Sequence, residues 1–190
     1  WIFALVMAYP YLPGSDSEAL KGLSIFVGVL LSLGSSSAMA NGVAGTIITY
    51  MRGYRIGDFI QIGDNMGEVV EQTLLVTRIR TVKNVVVTIP NGNVLSAHVV
   101  NYSAGGSGQP LIVHTSITIG YDAPWQTVHK LMIDAAMETE GVLREPRPFV
   151  LQTSLNDFHI TYEINAYTLN AKRMPEIYSA LHQNIQDKFN

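Results

Sequence analysis

The sequence predicts a membrane-spanning helix followed by a small all-β domain and an α+β domain. Three observations carry this fold class. Gly22 to Met51 contains no charged residue; apolar residues from 55 to 103 come in short runs of period two; and from 111 onward the patterns follow the order β, α, β, β, α. Of 190 residues, 47% are hydrophobic and only 14% charged, against about 25% charged in soluble domains. This balance points to lipid contact.

The elements follow in chain order. Residues 1–21 read as the end of an earlier apolar helix, stopped by Pro10 and Pro13, and a short loop from Tyr11 to Lys21. The absence of an initiator Met at Trp1 implies a piece of a longer chain. Residues 22–51 form the membrane helix. As one straight helix the run would be about 45 Å long at ~1.5 Å per residue, whereas a bilayer core of about 30 Å needs only some 20 residues. Apolar density thins at Ser35, Ser36, Ser37, Asn41 and Gly42, so a break is expected near 37–45. No basic segment precedes the run, which argues against a signal peptide.

Residues 52–103 form the β domain. Runs at Phe59 to Ile62, Val69 to Val70, Leu75 to Ile79 and Val85 to Ile89 are separated by Gly57, Gly63, Gly67 and Asn84. Lys83 and Asn84 suit a hairpin tip, Pro90, Asn91 and Gly92 a further turn, and Arg55 is placed to pair with Asp58. Ala104 to Pro110 is a Gly/Ser-rich linker opening the α+β domain, residues 104–190. Leu111 to Ile119 alternates as a strand. Asp122 is expected to cap a helix started by Pro124, with Val128, Leu131, Met132 and Ala135 inward and Gly141 past its end. Phe149 to Thr153 and Ile160 to Leu169 read as strands, and Pro175 opens a helix with Ile177, Leu181 and Ile185 on one face.

The membrane run carries two stripes at four-residue spacing. Gly28, Ser32, Ser36, Ala40 and Ala44 are small, and beside them run Val29, Leu33, Ser37, Asn41 and Gly45. Two readings stand. Gly and Ser are common in membrane helices; alternatively, identical helices pack in a ring through the small stripe, with the adjacent stripe facing the axis. Arg52 and Arg55 follow at once, placing that end on the cytoplasmic side.

Composition excludes several functions. The chain has no Cys, which removes disulfides, thiolate zinc sites and cysteine nucleophiles. His98, His114, His129, His159 and His182 are scattered without metal spacing, Ser35 to Ser37 form no nucleophile elbow, and Gly42 to Gly45 lacks the lysine of a phosphate loop. No enzyme, metal or cofactor is expected. A net charge of -3 opposes nucleic-acid binding.

The small-residue helix, Asn41, Gly45, Tyr54-Arg55-Ile56-Gly57-Asp58, Gly67-Glu68-Val69, Ile79-Arg80-Thr81, Ile89-Pro90-Asn91-Gly92 and Asn101-Tyr102-Ser103 together resemble the family of the bacterial mechanosensitive channel of small conductance. The likeness is one of order and spacing over 22–103 and of pattern over 104–190. It implies a channel opened by membrane tension that releases ions and small solutes on osmotic downshock. The implied assembly is a homoheptamer, multi-pass in the inner cell membrane and in contact with lipids, with residues 52–190 in the cytoplasm. The β domain would be Sm-like. The α+β domain would be ferredoxin-like and enclose a vestibule, with further helices before Trp1 and a short strand after Asn190. By position, the family's two pore-constricting leucines fall on Val29 and Leu33, which implies a pore gate, and the helix-packing stripe falls on Gly28, Ser32, Ser36 and Ala40. The family's kink glycine falls on Ser37, a departure; Ser37, Asn41, Gly42 and Gly45 are the expected break positions. A second departure places Gly22, Phe26 and Leu30 where the family packs alanines. A non-conducting structural membrane oligomer is the alternative, and an Sm-like nucleic-acid module a weaker one, because no row of aromatics accompanies Arg78, Arg80 and Lys83.

Overall fold

The computed structural model describes residues 1–190 except 12, 14, 16 and 104–108. Most of the Gly/Ser linker, and Leu12, Gly14 and Asp16 of the loop expected before the long helix, therefore lie outside the described residues. Helix α1 spans Ile2–Ala8 and gives way to a 3-10 turn, Tyr9–Tyr11, where Pro10 cannot donate the next helical hydrogen bond.

Helix α2 spans Glu18–Met51. It starts earlier than the charge pattern suggests, because the Ser17 side chain accepts the Leu20 N–H at 3.1 Å and Glu18 sits in the first turn. The break expected at Ser37, Asn41, Gly42 and Gly45 is absent: the helix is continuous through all four. Its polar side chains bond back to carbonyls of the preceding turn instead of opening it, Ser35 to Leu31 at 2.6 Å, Asn41 to Ser37 at 2.9 Å and Thr46 to Gly42 at 3.0 Å. Arg52 ends the helix in the left-handed region at φ 49.

The β domain is a five-stranded antiparallel sheet in the order β4-β3-β2-β1-β5. Its strands are β1 (Phe59–Ile62), β2 (Asn65–Gln72), β3 (Val76–Thr81), β4 (Val86–Pro90) and β5 (Val99–Asn101). Asn84, at φ 60, occupies the β3-β4 hairpin tip, consistent with an Asn's tolerance of that conformation. Three expectations fail here. Gly67 does not break a strand but lies inside β2, where a Cβ would come within 2.7 Å of the Arg80 carbonyl carbon, so glycine permits the strands to close. Pro90-Asn91-Gly92 is no turn; Pro90 ends β4 and holds the cap position of a short helix, α3 (Asn91–Ser96). Asp58 does not meet the Arg55 side chain in an ion pair among the described residues; its Oδ2 accepts the Arg55 backbone N–H and the Asn101 side-chain Nδ2–H, each at 2.9 Å.

The α+β domain has a three-stranded antiparallel sheet in the order β6-β8-β7, with β6 Leu111–Ile119, β7 Phe149–Leu155 and β8 Ile160–Thr168. Helices α4 (Trp125–Glu138) and α5 (Met174–Phe189) cover one face. Asp122 does not cap α4. Pro124 holds the cap position, and its carbonyl takes the Thr127 N–H at 2.9 Å. Val128, Met132 and Ala135 are buried as expected, while Leu131 is only half-buried. Phe59 of β1 enters this second core, with Met66 and Tyr102 against it, and Lys172 Nζ reaches Glu68 Oε1 of β2 at 2.7 Å. The two domains are thus joined by an apolar plug and an ion pair.

One core contact carries a testable cost. The His129 ring lies edge-on to Trp125 and Tyr162 at centroid distances of 5.1 and 5.7 Å. His129 Nε2 and the Tyr162 hydroxyl are buried without a hydrogen-bond partner among the described residues. Burial pushes the His129 pKa below its ordinary 6.5. The unfolded chain then binds more protons than the folded one below 6.5, so stability falls as pH drops through that window and is unaffected by this group above it. The thermal midpoint of the purified protein is expected to fall between pH 7.5 and about pH 5.5, and His129→Phe to flatten that slope.

Candidate functional site

Every residue from Glu18 to Ala40 is exposed in the single chain. Among the described residues, α2 is the one helix long and apolar enough to cross a membrane. Val29 is 52% and Leu33 71% exposed, and Gly28, Ser32, Ser36 and Ala40 are exposed beside them. Among the described residues, none of these six is buried against the folded domains. Ser37 is exposed as well, whereas Asn41, Gly42 and Gly45 lie where the helix reaches the β domain.

There the environment changes. Ala44, Gly45 and Ile48 are buried, and Ile48 joins the apolar core of the β sheet with Ile60, Val69, Ile79 and Val94. Asn41 Oδ1 accepts the Gly92 backbone N–H at 2.8 Å, while its Nδ2 donates to Ser37 O within the helix. At Gly45 a Cβ would overlap the Leu74 carbonyl oxygen and stand 2.6 Å from Asn91 Nδ2. The helix approaches because residue 45 has no side chain. Asn91, fully buried, holds the loop that forms this seat. Its Nδ2 donates to Thr73 O at 3.0 Å and Leu74 O at 2.9 Å, and its backbone N–H donates to Leu75 O at 2.9 Å. Thr77 donates to Asn91 Oδ1 at 2.9 Å, and the Tyr54 hydroxyl lies 3.0 Å from Thr77 Oγ1.

Sequence reasoning placed Asn41 and Gly45 in a helix break and did not single out Asn91, Gly92, Thr77 or Tyr54 as a unit. The usable signal was a polar Asn directly after a strand-ending Pro, a residue type that has to find partners if buried. Elsewhere, a cavity of about 410 Å³ between the domains is lined by residues that include Tyr102, Ser103, Leu111, Asn170, Lys172 and Arg173. Its cations are committed, Lys172 to Glu68, and Arg173 to Glu176 at 2.7 Å and Glu140 at 3.3 Å. Among the described residues no three His, Asp or Glu side chains converge at metal distance.

Known proteins align with this architecture. Residues 37–104 match the family described as mechanosensitive ion channel, beta-domain, and residues 113–190 match mechanosensitive ion channel MscS, C-terminal. The mechanosensitive channel MscK of Escherichia coli (strain K12) is 29% identical over 154 residues, covering 81% of this chain and 14% of that protein. The small-conductance mechanosensitive channel of Edwardsiella ictaluri (strain 93-146) is 20% identical over 162 residues, covering 85% of this chain and 54% of that protein. The chain thus spans between 14% and about half of these two relatives. The closed-state crystal structure of Helicobacter pylori MscS superposes with a TM-score of 0.73 at 17% identity, covering 92% of this chain and 68% of that one. That likeness is one of fold.

The seat under Gly45 makes a direct prediction. Gly45→Ala drives a methyl group into the Leu74 carbonyl, and overpacking of this kind costs about 1–3 kcal/mol. It is expected to lower the thermal midpoint and to expose the segment around residues 41–54 to limited proteolysis. Gly53→Ala, which meets nothing within 4 Å, should leave the cleavage pattern unchanged.

Proposed function

The chain belongs to the family of small-conductance mechanosensitive channels, and on that premise we propose that it forms part of a channel opened by membrane tension, passing ions and small solutes on osmotic downshock. The observation that carries this reading is the division of α2. Its first two-thirds is exposed on every face, while its end is seated in the β domain. An apolar helix segment that packs against no folded domain among the described residues is covered by lipid and by other helices. A seat at one end then ties whatever the membrane does to that helix to the folded domain below it.

In this proposal the subunits form a homo-oligomeric ring, a homoheptamer as the family resemblance implies. The ring is multi-pass in the inner membrane and in contact with its lipids, with residues 52–190 in the cytoplasm. Arg52 and Arg55 just past the apolar run favour that orientation. Gly28, Ser32, Ser36 and Ala40 are small enough for neighbouring helices to approach closely. Val29 and Leu33 then project as two stacked apolar rings one turn apart, too narrow and too poorly hydrated to hold ions, which is a gate that closes by dewetting. The open state occupies more membrane area, so tension favours it in proportion to the difference. No step calls for a cofactor or nucleic acid.

Patch-clamp recording of the full-length protein under suction tests the reading as a whole; absence of any tension-activated current would overturn it. Ser32→Leu is expected to hold helices apart and lower the fraction of intact oligomer in mild detergent by native mass measurement, whereas an unaltered oligomer would remove the small stripe from the interface. Leu33→Ser, and more strongly Val29→Ser with Leu33→Ser, should wet the constriction, giving resting conductance and opening at lower tension. Leu31→Ser, on another face, should leak less. Unchanged resting conductance and threshold in the double variant would mean that the gate lies elsewhere.

A further inference from the structure

The hold of the β domain on α2 runs through a chain of buried hydroxyls whose direction follows from counting donors. Asn91 spends both protons of its Nδ2 on the carbonyls of Thr73 and Leu74, which leaves its Oδ1 as an acceptor. Thr77 gives its single hydroxyl proton to that oxygen. The Tyr54 hydroxyl, 3.0 Å from Thr77 Oγ1, must therefore be the donor to Thr77. Burial pushes the Tyr54 pKa above its ordinary 10.0, so Tyr54 keeps its proton at cellular pH. The chain ends on Leu74 O, the oxygen against which Gly45 lies. Tyr54 enters it from beyond the helix, after the left-handed turn at Arg52. The second half of α2 is consequently held at Asn41 by Gly92 and at Gly45 by the seat, and the chain just past its end is held at Tyr54 through Thr77 and Asn91.

We propose that Tyr54, Thr77 and Asn91 are positioning residues, a latch that keeps the second half of α2 seated and so sets the tension at which its first half moves. This rests on the channel reading above. Each member is buried, so removing one hydroxyl leaves the next group without a partner rather than exchanging it for water. The seated and unseated positions of the helix differ by the whole chain of bonds, and loosening it lets membrane tension shift the helix more easily.

The full-length protein tests this with Thr77→Val, Thr77→Ser and Tyr54→Phe, read in two ways. Spin labels at Thr46 on α2 and Thr88 on β4, both exposed, report seating without any need for current; patch recording reports the tension of half-opening. Thr77→Val, nearly isosteric, is expected to broaden the label distances, lower the half-opening tension, and raise the open-to-closed ratio at fixed tension about tenfold, as loss of a buried hydrogen bond does. Tyr54→Phe should move both readouts the same way by less, and Thr77→Ser should restore both. Unchanged distances and an unchanged or raised half-opening tension in Thr77→Val and Tyr54→Phe overturn the latch. If Thr77→Val does not fold, Tyr54→Phe decides by the same criteria. Broadened distances in a protein that carries no tension-activated current, wild type included, would uphold the seating role and overturn the channel reading instead.

Discussion

The backbone carbonyl of Leu74 occupies the space that a side chain on residue 45 would need, and the rest of the arrangement follows from that close approach. Because Gly45 allows it, Ile48 three residues on reaches the apolar core of the β sheet, and Asn41 one turn earlier meets the Gly92 N–H. Because the carbonyl must be held still, Asn91 is buried beside it and satisfied by four hydrogen bonds. A buried amide with every donor and acceptor used is rigid, since any displacement leaves a polar group unpaired in an apolar setting. The apolar helix thereby continues into a fixed point on a folded domain.

A second joint sits one strand away. Phe59 leaves the β sheet on its opposite face and completes the core of the α+β domain, while its neighbour Ile60 points into the β core. The alternation of a single strand thus serves two cores at once. With Lys172 bridging to Glu68, the described residues join the two domains through an apolar contact centred on Phe59 and an ion pair. The apolar contact is the sturdier of the two, because the ion pair is partly exposed and such pairs contribute only about 0 to 1 kcal/mol.

The strands and helices were legible wherever a local period was unbroken. Leu111 to Ile119 alternates without interruption, and Ile177, Leu181 and Ile185 recur at helical spacing. Local reading failed where a residue's environment comes from elsewhere in the chain. Gly67 looks like a break, but the Arg80 backbone explains it. Asp122 looks like a cap, although Pro124 already provides the helix start. Ser37, Asn41 and Gly42 look like weak points in a helix, yet Asn41 and Thr46 bond back into it and the β domain braces its end.

By itself the sequence determined that a long uncharged helix precedes a β domain and an α+β domain, and that their order and spacing resemble one channel family. Charge, period and turn chemistry are properties of neighbouring residues, so they survive in a linear reading. Only the tertiary structure decided that Asn41, Gly45, Tyr54, Thr77 and Asn91 act on one seat. The contacts concerned join residues 51 apart between Asn41 and Gly92 and 23 apart between Tyr54 and Thr77. Whether an Asn is a turn former or a buried hydrogen-bond hub depends on which donors and acceptors the fold brings around it, and no local pattern records that.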